Sequence, residues 1–80
     1  MIKLKALKQV SALVTIGREE KWVFLKAGQE LDGVGMVVGV DPIYAPNAPI
    51  QTRGGKNVAI FPISENSPND YLGLFETLKS

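Results

Sequence analysis

This chain of 80 residues is long enough for one small domain, and its 45% hydrophobic and 21% charged residues are typical of a folded protein. It contains neither histidine nor cysteine, which excludes disulfides and thiolate metal sites and removes the commonest general base and transition-metal ligand. We therefore expect a protein that is not an enzyme and carries no cofactor or metal. The net charge of +1 predicts no strong class of partner.

Three strands are predicted in the first 26 residues. Ile2–Ala6 alternates apolar and charged side chains, which is the period of a half-buried strand. Ser11–Ile16 and Lys21–Lys26 are rich in β-branched, apolar and aromatic residues, and the polar residues GREE between them predict a hairpin with a four-residue loop. Trp22 and Phe24 are expected to share one face of their strand.

The fourth predicted strand, Val34–Val40, contains two glycines. The polar segment Ala27–Gly33 before it predicts a turn. A glycine inside a strand often marks a β-bulge or a place where another backbone comes close, so an irregular strand is expected here.

Asp41–Pro49 (DPIYAPNAP) is the most unusual segment of the chain. Its three prolines are expected to exclude a helix and a central strand, and they predict an ordered loop. Prolines reduce the entropy that a loop loses on binding, and tyrosine is frequent at interfaces, so the loop is our first candidate for contact with a partner. A loop that folds back onto the core is the open alternative. The candidate contact residues are Ile43, Tyr44, Pro46 and Asn47.

Two further strands and a helix are predicted to complete the chain. Ile50–Arg53 and Asn57–Ile63 flank a pair of glycines, which is a hairpin signal. Ser67 and Pro68 are typical of a helix start, and apolar residues then follow at the spacing of one helix face, which predicts a helix over 68–79. These apolar residues are Tyr71, Leu74, Phe75 and Leu78.

The whole chain is thus predicted to be a single mainly β (α+β) domain over residues 1–80. We expect a small antiparallel β-sheet, sandwich or partly open barrel of five to six short strands, with the C-terminal helix across it. Since a domain this small buries only about 60% of the surface that its unfolded chain exposes, a homo-oligomer stays open.

The N-terminal strand is a second candidate contact surface. Residues 1–26 hold six basic and two acidic residues, a balance of +4, whereas residues 27–80 hold three basic and six acidic residues, a balance of −3. If the strand lies at a sheet edge, Lys3 and Lys5 either prevent self-pairing or mark the place where a partner strand adds. This asymmetry favours another protein as partner over nucleic acid.

The sequence indicates catalysis and nucleic-acid binding only weakly. The carboxylate pairs Glu19/Glu20 and Glu30/Asp32 fall in predicted turns, where they are solvated, and no histidine can activate a serine or threonine. Six aromatic residues keep a second hypothesis open, namely a small barrel that stacks single-stranded nucleic acid, although few lysines and arginines lie between them.

Several residue patterns resemble a known family. Ala12-Leu13-Val14 matches its A-L-V strand, Gly28–Gly33 its G-x-x-L-x-G turn and Val37–Val40 its V-x-x-I/V strand, and Gly55-Lys56 precedes a last strand at Val58–Ile63. Residues 12–63 thereby resemble the homology region of type II secretion inner-membrane protein C and the related domain of the type IV pilus assembly protein PilP. The resemblance implies a β-sandwich-like domain that binds another secretion or pilus component and has no catalysis.

The expected location of the protein depends on whether the chain stands alone or is part of a longer protein. No apolar run reaches the length of a membrane span, and MIKLKALKQV lacks the apolar region of a signal peptide, so the chain as given is expected in the cytoplasm. As part of a longer secretion or pilus protein it would lie in the periplasm. A chain of this size also fits a small phage or mobile-element protein that binds and modulates a host protein.

Overall fold

The computed structural model describes residues 2–64 and 73–79, which form one antiparallel sheet. Its strands run in the order β3-β2-β4-β1-β7, and β6 pairs with β4 and with β5. The described residues thus contain seven strands where five or six were predicted, and the prediction of a small antiparallel β domain is confirmed. The strands are β1 (Ile2–Ala6), β2 (Val10–Ile16), β3 (Glu19–Leu25), β4 (Glu30–Val40), β5 (Ile50–Arg53), β6 (Lys56–Ile63) and β7 (Phe75–Lys79).

Strand β4 is central because both of its edges are paired. One edge pairs with β2. The other edge pairs with β1 near its start and with β6 near its end. β4 is eleven residues long and begins at Glu30, inside the segment that was predicted to be a turn. The first half of β4 therefore pairs with β1, which in turn pairs with β7. The second half of β4 pairs with β6, which in turn pairs with β5.

The glycines of β4 accompany irregular pairing, as predicted. β4 has one more residue than β2 near Gly35 and again near Val38, and one more than β1 near Gly33. Gly33 has a φ of 76°, a backbone conformation that other residues rarely adopt. Such bulges bend a strand and increase its twist, which allows one sheet to enclose a core.

The main hydrophobic core lies on one face of this sheet. It receives residues from every strand except β5, and each is 4% exposed or less. Full burial of a valine, leucine, isoleucine or phenylalanine stabilises the fold by about 1.5–3 kcal/mol, so this face supplies most of the stability. Its members are Ile2, Leu4, Ala6, Val10, Ala12, Val14, Leu25, Val34, Val37, Val40, Ala45, Ala59, Phe61, Ile63, Leu74 and Phe75.

The predicted C-terminal helix is not observed. Residues 65–72 lie outside the described part of the chain, and Phe75–Lys79 forms β7, which pairs with β1 along its whole length. Phe75 and Thr77 are buried and Glu76 between them is half-buried, which is the alternation of a strand. The backbone of β1 needs partners along its second edge, and an extended segment supplies them, so tertiary pairing outweighs the helical spacing of the apolar residues.

Glycines lie in the turns of the two hairpins, β2–β3 and β5–β6. Gly17 and Arg18 alone connect β2 to β3, so the four-residue loop was wrong and the two glutamates after Arg18 belong to β3. Gly54 and Gly55, with φ values of 60° and 78°, connect β5 to β6 as predicted. Turns with positive φ at both central residues match the twist of the strands they join.

Candidate contact surface

A single 3-10 turn at Pro42–Tyr44 presents Ile43 to solvent. Asp41 caps this turn: its Oδ1 accepts a hydrogen bond from the Ile43 N–H at 3.1 Å, and its carbonyl accepts one from the Tyr44 N–H at 2.9 Å. Pro42 occupies the first position, where its fixed φ suits a helical turn and its missing N–H costs nothing. Ile43 is 77% exposed, more than any other large hydrophobic residue of the described part. An apolar side chain is therefore held in water on a turn with little conformational freedom.

Three loop residues after Ile43 pack against the main core of the protein. Tyr44 and Ala48 are half-buried and pack against the main core, and Ala45 is 4% exposed within it. The Ala48 N–H donates to the carbonyl of Ala45 at 3.1 Å, which closes a second turn. The open alternative, a loop that folds back, therefore applies to Tyr44, and the only helical element in the described loop is the three-residue 3-10 turn before it.

Pro46 and Asn47 remain on the surface. Both are exposed, and together with Tyr44, Ala45 and Ala48 they line a shallow pocket of about 180 Å³. We call Ile43, Pro46, Asn47 and this pocket the Ile43 surface. It contains all four loop residues predicted to contact a partner, Tyr44 only as part of the pocket lining.

Lys3 and Lys5 lie on an interior strand and not on an edge. β1 pairs with β4 on one side and β7 on the other, so the edge position on which both interpretations of these lysines depended is contradicted. Lys3 Nζ lies 3.8 Å from Glu30 Oε1, and Lys5 stands opposite Glu30 in β4 and Glu76 in β7. Cross-strand pairs of opposite charge stabilise a sheet, so these lysines are compensated locally.

A second, smaller apolar cluster lies apart from the main core. Leu13, Val38 and Val58 are buried in it, and Trp22 and Ile60 pack against them half-buried. In β2 the neighbours of Leu13 on either side belong to the main core, so the alternation of a strand places the two clusters on opposite faces of the sheet. Part of the sheet is therefore covered on both faces.

The tip of the β5–β6 hairpin covers this second cluster. Lys56 Nζ lies 4.1 Å from the centre of the Trp22 ring and 3.9 Å from Asp41 Oδ2. Arg53 Nη1 donates a hydrogen bond to Glu20 Oε2 at 2.7 Å, which is a charge-assisted contact. Because Glu20 and Trp22 belong to β3, which does not neighbour β5 or β6, the sheet must coil to bring these residues together.

Lys56→Gln is expected to lower the free energy of unfolding by about 0.5–1 kcal/mol and to change the fluorescence of Trp22. The substitution removes the charge above the ring and the ion pair with Asp41. Urea unfolding followed by the emission of the single tryptophan measures both effects. Lys8→Gln removes the same charge from an exposed loop residue and should change neither. An unaltered spectrum in Lys56→Gln would show that the cation does not contact the ring in solution.

Phe24 is the exposed member of the aromatic pair in β3. It is 52% exposed, while Trp22 is half-buried in the second cluster. The two stand two positions apart in one strand, so they share a face, as predicted. Lys56, which lies over the Trp22 ring, and Arg53, which binds Glu20 in the same strand, each have a carboxylate partner, so these two cations form no positively charged groove of the kind that follows a nucleic acid backbone.

Three of the four carboxylates considered in the sequence take part in surface ion pairs, and the fourth, Asp32, accepts a hydrogen bond from the Gly33 N–H at 2.9 Å. Glu19 Oε2 lies 3.5 Å from Lys21 Nζ, and Glu20 and Glu30 bind the cations already described. Within residues 2–64 and 73–79, no three acidic residues are arranged to hold a metal ion. No helix in those same ranges has the length and apolar character needed to cross a membrane.

No family model, no curated protein and no solved structure matches this chain. The resemblance to secretion and pilus domains therefore stays a prediction based on residues 12–63.

The second cluster, and the contact that the predicted β5–β6 hairpin makes with β3, were missed in the sequence. One signal was present: Ala12-Leu13-Val14 and Val58–Phe61 are continuous apolar runs, which are typical of strands buried on both faces. No local signal indicates that Arg53 reaches Glu20, because the two residues are 33 positions apart and meet only when the sheet coils.

Proposed function

We propose that this chain is a non-enzymatic domain that binds another protein through the Ile43 surface. The observation that carries the proposal is an isoleucine 77% exposed on a capped turn. Single exposed apolar residues are common, but this one is presented by two hydrogen bonds and a proline, so little entropy is lost when a partner covers it. The adjacent shallow pocket offers a partner side chain a place to insert.

A component of a secretion or pilus assembly system is the first partner to test, on the resemblance of residues 12–63. A host protein bound by a small phage or mobile-element protein is the alternative. A β-sandwich or partly open barrel is the finer architecture that we propose for the sheet, since one sheet has apolar clusters on both faces.

Ile43→Ser is expected to weaken partner binding by more than about 1 kcal/mol, which is more than fivefold, while the melting temperature stays unchanged. The side chain touches little of its own protein, so only the complex loses contacts. Leu7→Ser, at another exposed apolar residue, is the matched control and should retain the affinity of the wild type. Tyr44→Ala should lower the melting temperature instead, because Tyr44 packs on the core.

The partner can be identified with a photo-crosslinking amino acid at position 43, compared with the same amino acid at position 7, in the native host. A protein joined from position 43 and not from position 7 is then purified and titrated with the variants. If Ile43→Ser binds that protein as tightly as the wild type, the Ile43 surface is not the binding site.

Single-stranded nucleic acid is the second candidate ligand, because Phe24 is exposed beside Trp22 on one face of β3. Titration with a fluorescent oligonucleotide at two salt concentrations separates it from the first. Tight, salt-sensitive binding that quenches Trp22 would favour a nucleic-acid-binding domain and contradict the proposal above.

A further inference from the structure

Strand β3 is the longest edge strand of the described sheet. β3, β5 and β7 each pair with one strand only among the strands that the structure describes. β5 has four residues and follows Pro49, whereas β3 has seven residues without glycine or proline. A long unpaired edge is a template for another strand. The two charges at its start, Glu19 and Lys21, already neutralise each other at 3.5 Å.

The backbone groups that β3 offers can be assigned from the hairpin. Ile16 and Glu19 flank the two-residue turn, and such a pair exchanges both hydrogen bonds. Bonding alternates along an antiparallel pair, so Glu20, Trp22 and Phe24 direct their N–H and C=O groups away from β2. These are the groups available to a further strand.

We propose that two copies of this chain associate through β3, paired antiparallel about a two-fold axis with Val23 opposite Val23 of the second copy. In this register Trp22 stands opposite Phe24 of the second copy, and Glu20, which also binds Arg53 of its own chain, stands opposite Lys26 of the second copy, the first residue after β3. The symmetry creates each contact twice, and it covers Phe24, which is 52% exposed in the single chain. The association uses a different surface from Ile43 and does not depend on the proposed function.

Charge complementarity selects this register from its neighbours. Registers shifted by one pair keep the same backbone groups facing each other, since the pattern repeats every two residues. A two-fold axis at Lys21 would place the two Lys21 side chains together, and an axis at Trp22 would place Arg18 opposite Lys26. Of these three registers, only the one centred on Val23 places acid against base, and an axis at Glu20 would bring the two Glu20 side chains together. One strand pair buries less than the roughly 1,200 Å² of a stable interface, so the dimer should dissociate on dilution.

Cysteine cross-linking tests the register directly, because the chain has no cysteine of its own. Two Val23→Cys chains would place their Cα atoms about 4.5–5.5 Å apart, within the range of a disulfide. Lys21→Cys is the matched control, on the same face and more exposed, but its two copies would lie about 13 Å apart. Under mild oxidation we expect covalent dimer to form at least about tenfold faster from Val23→Cys. Equal rates, or faster dimer formation from Lys21→Cys, would overturn the proposal.

A charge exchange tests the same dimer without a cross-link. Glu20→Lys and Lys26→Glu each bring like charges together, so sedimentation should show each variant dimerising about tenfold more weakly than the wild type. Glu20→Lys also loses the ion pair with Arg53 of its own chain, so Lys26→Glu is the variant that reports on the dimer alone. Mixed together they restore both opposite-charge pairs, and a heterodimer should form. A mixture of Lys8→Glu and Asp32→Lys, changed outside β3, should behave as the wild type.

Melting temperatures establish that each variant is folded. A wild-type chain that sediments as a monomer up to about 1 mM contradicts the proposal. So does a dimer that neither charge variant weakens, since that dimer would use another surface.

Discussion

Gly39→Ala is expected to lower the free energy of unfolding by about 3 kcal/mol or more. A Cβ atom at this position would overlap the carbonyl oxygen of Ala59 and lie 2.7 Å from Val58 Cγ1. The obstacle is the backbone of the paired strand β6, which cannot withdraw without breaking its ladder with β4. A domain of this size has roughly 4–12 kcal/mol of stability in total, so one methyl group would remove a large share of it.

Gly35→Ala is the matched control for Gly39→Ala, in the same strand. Its Cβ would lie 2.9 Å from Thr15 Oγ1, at the end of a short side chain that can rotate, and its φ is not in the left-handed region. We expect a loss of about 1 kcal/mol. Urea unfolding followed by circular dichroism gives both values. Similar losses in the two variants would contradict the requirement for glycine at the Gly39 contact.

Phe75→Ala is expected to lower the free energy of unfolding by about 3–5 kcal/mol. Phe75 is fully buried in the main core, and it begins β7 opposite Ala6 of β1. Its removal would leave a cavity and would also weaken the strand that covers the second edge of β1. Thermal and urea unfolding measure the loss, and faster hydrogen exchange at the amides of β1 would locate it.

Phe24→Ala is the control, because it truncates the same kind of side chain at a 52% exposed position. Its loss should stay below about 1 kcal/mol. If both phenylalanine variants lose the same small amount, the C-terminal strand does not pack as described, and the assignment of residues 75–79 to the sheet fails.

The strands of the first half were predictable because each carries its own local signal. The alternation of Ile2–Ala6 matches the burial of every second residue, and the β-branched composition of Val10–Ile16 matches β2. The glycine pair at Gly54 predicted its hairpin for a local reason too, since only residues that tolerate positive φ fit such a turn.

The candidate contact surface was predictable only in part. Ile43, Pro46 and Asn47 are on the surface as the proline-rich composition indicated, but the same loop buries Ala45 and half-buries Tyr44. Which side chain of an ordered loop points inward depends on the space left by the sheet beneath it. That space is not encoded in the loop's own residues.

The sequence by itself determined that this chain forms a small antiparallel β domain, because hydrophobic period, β-branched residues and glycine turns act over a few neighbouring residues. The tertiary structure decided three further points: β1 is interior, the C-terminal residues 75–79 are a strand, and the tip of the β5–β6 hairpin reaches β3. Each depends on which distant backbone groups find partners and on how far the bulged strand β4 bends. Pairing between distant segments can override a local helical pattern, and this is why the helix prediction failed where the strand predictions succeeded.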